Sequence, residues 1–259
     1  MLFRSVRRMK KLDDVISVTY ADMPRTEGWA YSVGIDALQP VNGVLRLHQV
    51  YTAAKPDYTG RVTVPTLWDR RQKTVVNNES SEIIRMLNAE FTRWADNSVD
   101  LYPEALRRDI DEINAYVYER INNGAYRCGF AKSQQAYEQA FQRLFEALDL
   151  LDKRLATQRF LVGSRLTEAD VRLFTTLVRF DAAYHGLFKC NLRRIEDYPN
   201  LSNYLRDLYQ RPGFGETTDI EAIKRGYYGN RDINPTGIVP VGPAQDFTRA
   251  HDRGRLGAG

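Results

Sequence analysis

Arg61-Val62-Thr63-Val64-Pro65-Thr66-Leu67-Trp68, a polar link Asp69–Lys73, Thr74-Val75-Val76-Asn77 and then Asn78-Glu79-Ser80-Ser81-Glu82-Ile83-Ile84 is the stretch on which the fold of this chain turns. Two β-branched and aromatic runs around a polar link predict a β-hairpin. Proline inside the first run removes a ladder donor, which fits an edge strand or a bulge. The sharper reading, rarer on its own, is a cis-proline that stops pairing and turns the Val64 backbone toward a ligand. The second reading gains from the residues after the hairpin, because free amides at a helix start such as Asn77–Glu82 can meet an anion. Plain N-capping by Ser80 or Ser81 is compatible with both. The helix itself is expected from about Ser80 to Trp94, with Ile83, Ile84, Leu87 and Phe91 on one buried stripe.

Outward from this stretch, the two halves of the chain differ. Residues 1–96 mix short elements: a basic helical stretch over residues 2–11 and a strand candidate Val15-Ile16-Ser17-Val18-Thr19-Tyr20. Pro24, Gly28, Gly34, Pro40, Gly43, Pro56 and Gly60 make residues 22–60 read as a long loop region. Residues 97–228 are helical almost throughout. Leu106, Ile110, Ile113, Val117 and Ile121 form one apolar face on a helix that Pro103 can begin. Tyr137, Phe141, Leu144, Leu148, Leu151 and Leu155 form another, with fewer than three heptads, which favours bundle packing over a coiled coil. Thr167-Glu168-Ala169-Asp170 opens a third helix with a capping box that uses Asp for Glu. A fourth runs from about Pro199 to Gln210, stopped by Pro212-Gly213. Residues 229–259, rich in Gly, Pro and Arg, read as an extended C-terminal tail.

Composition narrows the function. Lys and Arg number 37 against 33 Asp and Glu, a net charge of +4, and the two signs are interleaved, which does not describe a nucleic-acid binder. No apolar run approaches a membrane span, and Met1-Leu2-Phe3 leads straight into Arg4, Arg7, Arg8, Lys10 and Lys11 rather than a signal-peptide core. Two cysteines, Cys128 and Cys190, support neither a disulfide framework nor a four-thiolate zinc site. His48, His185 and His251 are too scattered to propose a metal site. A cytoplasmic protein with no nucleic-acid or membrane partner is expected.

Strand, Val-Pro, hairpin, Glu-Ser at a helix start and an all-helical second half with a Thr-x-x-Asp cap resemble a cytosolic glutathione transferase. Longer stretches resemble the Xi class, the glutathionyl-hydroquinone reductases. They are Val75-Val76-Asn77-Asn78-Glu79-Ser80-Ser81-Glu82-Ile83-Ile84, Ile121-Asn122-Asn123-Gly124-Ala125-Tyr126-Arg127-Cys128-Gly129-Phe130-Ala131, Arg179-Phe180-Asp181 with Tyr184-His185, Phe188-Lys189-Cys190-Asn191-Leu192-Arg193-Arg194-Ile195, and Ile233-Asn234-Pro235. The resemblance implies an α+β thioredoxin-like, glutathione-binding domain over 1–96. An all-helical transferase domain follows over 97–228, then the tail over 229–259. It also implies a homodimer built by the helical domain.

Glutathione is the co-substrate the resemblance implies, without a metal. Arg61, Val62, Thr63, Val64 and Pro65 would lie along the tripeptide, with the Val64 amide and carbonyl facing its cysteine. Glu79 would accept from the γ-glutamyl ammonium, and Ser80 would donate to its carboxylate. Trp29 matches the tryptophan near glutathione, beside the plainer reading of a loop aromatic packed on the core. The implied reaction removes glutathione from a glutathionyl-hydroquinone or similar quinone-type aromatic. Tyr126 matches the proton donor, and Tyr184 and Tyr227 match two supporting phenols; from the residues alone, any of the 15 tyrosines reads as packing. The family's nucleophile sits in Cys-Pro-Trp-Ala-His-Arg, just before the part matching Leu2-Phe3-Arg4. A chain that begins at Met1 is therefore expected to lack that cysteine and the first strand. Cys128 and Cys190 match no such role and read as buried inert thiols. A non-catalytic glutathione-binding or dimeric scaffold is the alternative.

Overall fold

The computed structural model describes residues 1–21, 28–31 and 46–257. Its contacts fall into two compact units, Val6–Asn97 and Met1–Ser5 with Ser98–Gly259. The first unit carries a two-stranded sheet, and the second is helical. No helix among the described residues is long and apolar enough to cross a membrane.

In the smaller unit a hairpin forms around the expected link, but Arg61–Thr66, expected to belong to its first strand, is not strand: the cis Val64-Pro65 peptide lies there and pairing begins only at Leu67. β1 (Leu67–Asp69) pairs antiparallel with β2 (Thr74–Asn77), Trp68 opposite Val75, with an irregularity between Leu67 and Trp68. The Asp69 carboxylate accepts from the Arg71 and Gln72 amides at 2.7 and 2.8 Å, which closes the link. Helix α3 (Ser80–Ala89) comes next and buries Ile83, Ile84 and Leu87, while the chain turns away from helix after Ala89 rather than continuing to Trp94.

Two expectations need correction. Val15–Tyr20 is not a strand: the Val15 and Ile16 amides bond back to the Leu12 carbonyl, closing a turn after α1 (Leu2–Met9). The Arg7 guanidinium holds that turn, donating to the Asp13 carboxylate at 2.6 Å and the Asp13 carbonyl at 2.8 Å and to the Ile16 carbonyl. Backbone groups engaged in this way are not available to a ladder. Secondly, residues 22–60 are not loop throughout. Helix α2 (Leu47–Ala54) lies among them, with Leu47, Val50 and Tyr51 buried at helical spacing. The expected loop over 22–27 and 32–45 lies outside the described residues.

The larger unit is built on α6 (Gln134–Leu155), whose Leu144, Leu148, Leu151 and Leu155 are fully buried. Helix α7 (Glu168–Arg179) is buried on nearly every face, as a central helix must be. The Thr167–Asp170 capping box forms as expected. Helix α9 (Pro199–Tyr209) packs with α6 and α7. The stripe from Ile110 to Ile121 does not ride one uniform helix. Helix α4 (Arg107–Val117) passes into a π-helical turn over Tyr118–Asn122 and then α5 (Asn123–Gly129). A second π-helical turn, Phe180–Tyr184, prolongs α7 and leads to the short α8 (His185–Leu187). Helix α10 spans Ile220–Tyr228.

The residues after 228 have little regular structure, yet they are docked. The Arg253 side chain is fully buried and donates to the carbonyls of Leu155, Gln158 and Arg159, 2.5–2.8 Å away. These are orphan carbonyls at and beyond the C-terminus of α6, where a cation is also favoured by the helix dipole.

Candidate functional site

The smaller unit carries the sequence-predicted glutathione residues. The Val64-Pro65 peptide is cis, as expected. Val64 is 44% exposed, and neither its amide nor its carbonyl has a hydrogen-bond partner among the described residues. Its neighbours are fixed from the other side. The Tyr58 hydroxyl donates to the Arg61 carbonyl at 2.7 Å, and the Tyr51 hydroxyl to the Thr63 carbonyl at 3.0 Å. Val62 and Trp29 pack on the cluster of Tyr31, Leu47, Val50 and Tyr51. The segment is thus held by the Arg61 and Thr63 carbonyls and the Val62 side chain, leaving Val64 outward.

Glu79 is the residue before α3, exposed, and its carboxylate has no partner among the described residues; nor does the Ser80 hydroxyl. The Glu79 amide donates to Asn77 at 2.7 Å, while the Ser80 and Ser81 amides point from the helix start without backbone partners. Asn78 donates to the Thr63 hydroxyl at 3.2 Å, so the helix start and the 61–64 segment are held together. An extended backbone with a free amide and carbonyl, next to a carboxylate and amides at a helix N-terminus, can receive a peptide with an α-amino acid end.

The larger unit brings Tyr126, Tyr184 and Tyr227 together from α5, the second π-helical turn and α10. Tyr227 Oη lies 2.5 Å from Tyr126 Oη and 2.8 Å from Tyr184 Oη, so one phenol bridges the other two. Tyr184 is 1% exposed and stacks on Phe188, whereas Tyr126 keeps 38% of its surface open. Burial, and then the Tyr227 phenol, push the Tyr126 hydroxyl well above its ordinary value of 10; the Arg179 guanidinium offsets this in part. Tyr184 is raised in the same direction and first by burial. Such phenols stay protonated at neutral pH and can donate.

The positions follow from local sequence. Thr176 on α7 donates to the Asn122 side chain at 2.9 Å, pinning the first π-helical turn just ahead of Tyr126. The buried Asp181 accepts from the Ile195 and Glu196 amides at 2.6 and 3.2 Å, pinning the second. Gly129 is required because a Cβ there would stand 2.4 Å from the Phe188 ring. Sequence reasoning missed Arg179 and Phe188 as members of this cluster; their signal was present in the Arg179-Phe180-Asp181 and Phe188-Lys189-Cys190 stretches.

The cysteines sit behind the cluster. Cys128 and Cys190 are both buried and free, and Cys190 packs by the Ala125 and Phe188 carbonyls. Contact with Cys128, together with burial, pushes the Cys190 thiol up. No group of three or more His, Cys, Asp or Glu able to hold a metal occurs among the described residues.

Known proteins resemble this chain over nearly its whole length. The family model for the glutathione S-transferase N-terminal domain matches residues 3–90, and that for the C-terminal domain matches residues 134–207. Glutathionyl-hydroquinone reductase PcpF of Sphingobium chlorophenolicum is 54% identical over 243 residues, 93% of this chain and 78% of its own length. Glutathionyl-hydroquinone reductase YqjG of Escherichia coli (strain K12) is 45% identical over 255 residues, 96% of this chain and 77% of its own. Among solved structures, glutathione-bound YqjG superposes with a TM-score of 0.92 at 44% identity, covering 97% of this chain and 84% of that one. The Xi class transferase from Natrialba magadii gives 0.94 at 47% identity, with 98% and 79% covered. The chain therefore belongs to the glutathione S-transferase family of enzymes, in the Xi class that includes the glutathionyl-hydroquinone reductases.

Proposed function

We propose that this protein is built to release glutathione from glutathionyl-hydroquinones. The observation that supports this best is the convergence of Tyr126, Tyr227 and Tyr184 through hydrogen bonds of 2.5 and 2.8 Å. In this reading residues 1–96 hold the glutathionyl group. The backbone over Arg61–Pro65 lies along the tripeptide, Glu79 and Ser80 take the γ-glutamyl end, and Trp29 covers the site. Residues 97–228 supply the acid and build a homodimer, and the protein works in the cytoplasm.

A thiolate attacks the thioether sulfur, forming an S–S bond while the C–S bond breaks. The electron pair of that bond leaves on the ring carbon, which takes the Tyr126 proton to give free hydroquinone. The Tyr126 oxygen regains its proton from the thiol of a second glutathione as that ionises, while Tyr227 and, through it, Tyr184 hydrogen-bond the transient phenolate. The second glutathione's thiolate then attacks the mixed disulfide, so that glutathionyl-hydroquinone and glutathione become hydroquinone and oxidised glutathione. The raised Tyr126 value keeps the proton in place until negative charge develops on carbon.

The attacking thiolate is the component these 259 residues do not provide in usable form, because both thiols are buried. That observation favours a second reading, a scaffold that binds glutathione without turnover. Oxidised glutathione and free hydroquinone, measured together from a glutathionyl-hydroquinone, separate the two. Essentially no turnover is expected from the 259-residue chain, and clear turnover from a version in which Cys-Pro-Trp-Ala-His-Arg is joined ahead of Leu2. Tyr126→Phe in that version should depress turnover about 10²-fold. Lack of turnover by the extended, folded protein would refute the reductase reading and leave the scaffold.

A further inference from the structure

An open pocket of about 570 Å³ lies between the first π-helical turn, α5 and α6, entirely within the helical unit. Tyr126 and Phe130 form its aromatic wall, with rings parallel to within 5° and centroids 6.3 Å apart. The remaining rim is strongly basic. Arg120, Arg127, Lys132 and Arg143 line it, and Glu119 is its sole acid. The excess of three positive charges in one concavity compares with +4 for the whole chain.

These cations are not equivalent. Arg127 is held by Glu119 through two bonds of 2.5 and 2.9 Å. Arg120 lies over the Tyr116 ring, 6.0 Å from its centroid. Lys132 and Arg143 have neither hydrogen-bond nor ion-pair partner among the described residues, although both reach the pocket. Glu119 offsets one of these charges and is itself acted on by Arg127, Arg120 and Arg143, but a concave site with a net excess of one sign still concentrates its field on whatever enters. The volume fits a substituted aromatic ring. A neutral hydroquinone would use the wall and leave the charge unanswered.

We infer that this pocket selects, among aromatic thioethers of glutathione, those whose ring carries an acidic substituent such as a carboxylate, with Lys132 and Arg143 as the determinants of that preference. The inference rests on the proposed reaction for the thioether, while the charge preference can be measured without turnover. Both ligands in the test contain glutathione, so its own carboxylates cancel from the comparison.

Calorimetric titration with S-glutathionyl-hydroquinone and S-glutathionyl-2,5-dihydroxybenzoate decides it, each at low salt and at high salt. The carboxylated conjugate should bind about tenfold more tightly at low salt, as expected for one anion among several partly exposed cations, and the advantage should shrink when salt screens them. The double variant Lys132→Gln, Arg143→Gln should abolish the advantage and leave the neutral conjugate's affinity unchanged. Equal affinities for the two conjugates, or a preference that survives in the folded double variant, would overturn the inference. Turnover of the neutral conjugate by the extended protein without any charge preference would overturn the inference alone. A charge preference without turnover of either conjugate would sustain it and count against the reductase reading.

Discussion

Replacing Asp170 by alanine should rank among the most destabilising single truncations in the helical unit. The carboxylate is fully buried and accepts four hydrogen bonds: from the Leu161 amide at 2.8 Å, the Thr167 amide at 2.9 Å, the Thr167 hydroxyl at 3.1 Å and the Tyr204 hydroxyl at 2.7 Å. Leu161, Thr167 and Tyr204 are themselves wholly buried, so water does not replace the lost acceptor. Each orphaned donor costs about 1–3 kcal/mol, and the lost cap about 1 kcal/mol. Partial collapse of the site offsets some of this, which leaves a net loss of about 3–5 kcal/mol against a typical total of roughly 5–15. Urea unfolding followed by circular dichroism would measure it, and Tyr204→Phe supplies the control. That variant removes one donor and leaves Asp170 three, so about 1 kcal/mol is expected. Combined with Asp170→Ala it should restore part of the loss, because the Tyr204 hydroxyl is then no longer stranded. A loss below about 1 kcal/mol for Asp170→Ala, or strict additivity in the double variant, would refute the reasoning. The consequence reaches the phenols, since α7 carries Arg179 and runs into the turn that ends at Tyr184.

Tyr227→Phe should let Tyr126 ionise at a lower pH, because the Tyr227 phenol is, after burial, what holds it up, and alkaline titration of tyrosine absorbance would register the change. In the extended protein the same variant should lower turnover about 10-fold or more, since the Tyr126 oxygen loses its 2.5 Å partner. Gly129→Ala should cost about 1–3 kcal/mol of stability and alter the near-ultraviolet signal of the aromatic cluster, because its Cβ would stand 2.4 Å from Phe188; an unchanged denaturation midpoint would argue against that contact. Acid sensitivity should trace to Asp207. Burial raises its carboxyl, but Arg159 and Arg211, both at 3.0 Å, outweigh burial and bring it below its ordinary 3.8. Its contribution is therefore complete above pH 3.8 and lost as pH falls through the lower folded value. Asp207→Asn should flatten the stability profile in that range, and an unaltered profile would assign the acid limb elsewhere.

What the sequence disclosed divides along the range of the forces involved. The hairpin, the Thr167–Asp170 cap and the α6 seam from Leu144 to Leu155 were legible because each depends on neighbours within about a turn or two. Helix α2 was hidden because its eight residues lie among turn-forming glycines and prolines, and only three of them form the apolar face. The β-branched run at Val15 reads as a strand, yet Arg7, eight residues earlier, fastens the same backbone into a turn. No local pattern announces Arg253 as the residue that closes the end of α6, since its partners lie 94–98 positions away.

The tyrosines make the same point for function. Tyr126 and Tyr227 are 101 residues apart, and nothing in either neighbourhood selects them from 15 tyrosines except the resemblance to a family. The structure adds a physical criterion that the resemblance does not contain. A phenol used only for packing needs one partner for its hydroxyl, whereas Tyr227 stands between two hydroxyls, one on a buried side chain and one on a side chain open to solvent. Such a chain can share the charge that develops on the exposed Tyr126 oxygen with two further hydroxyls, because each hydroxyl can donate to one neighbour while accepting from the other. The two π-helical turns are what make the chain possible. Each inserts its extra residue immediately ahead of or at a tyrosine of the chain, Tyr118–Asn122 before Tyr126 and Phe180–Tyr184 at Tyr184 itself. An uninterrupted α-helix would rotate either side chain by about 100° per residue, carrying its hydroxyl off the line that Tyr227 bridges.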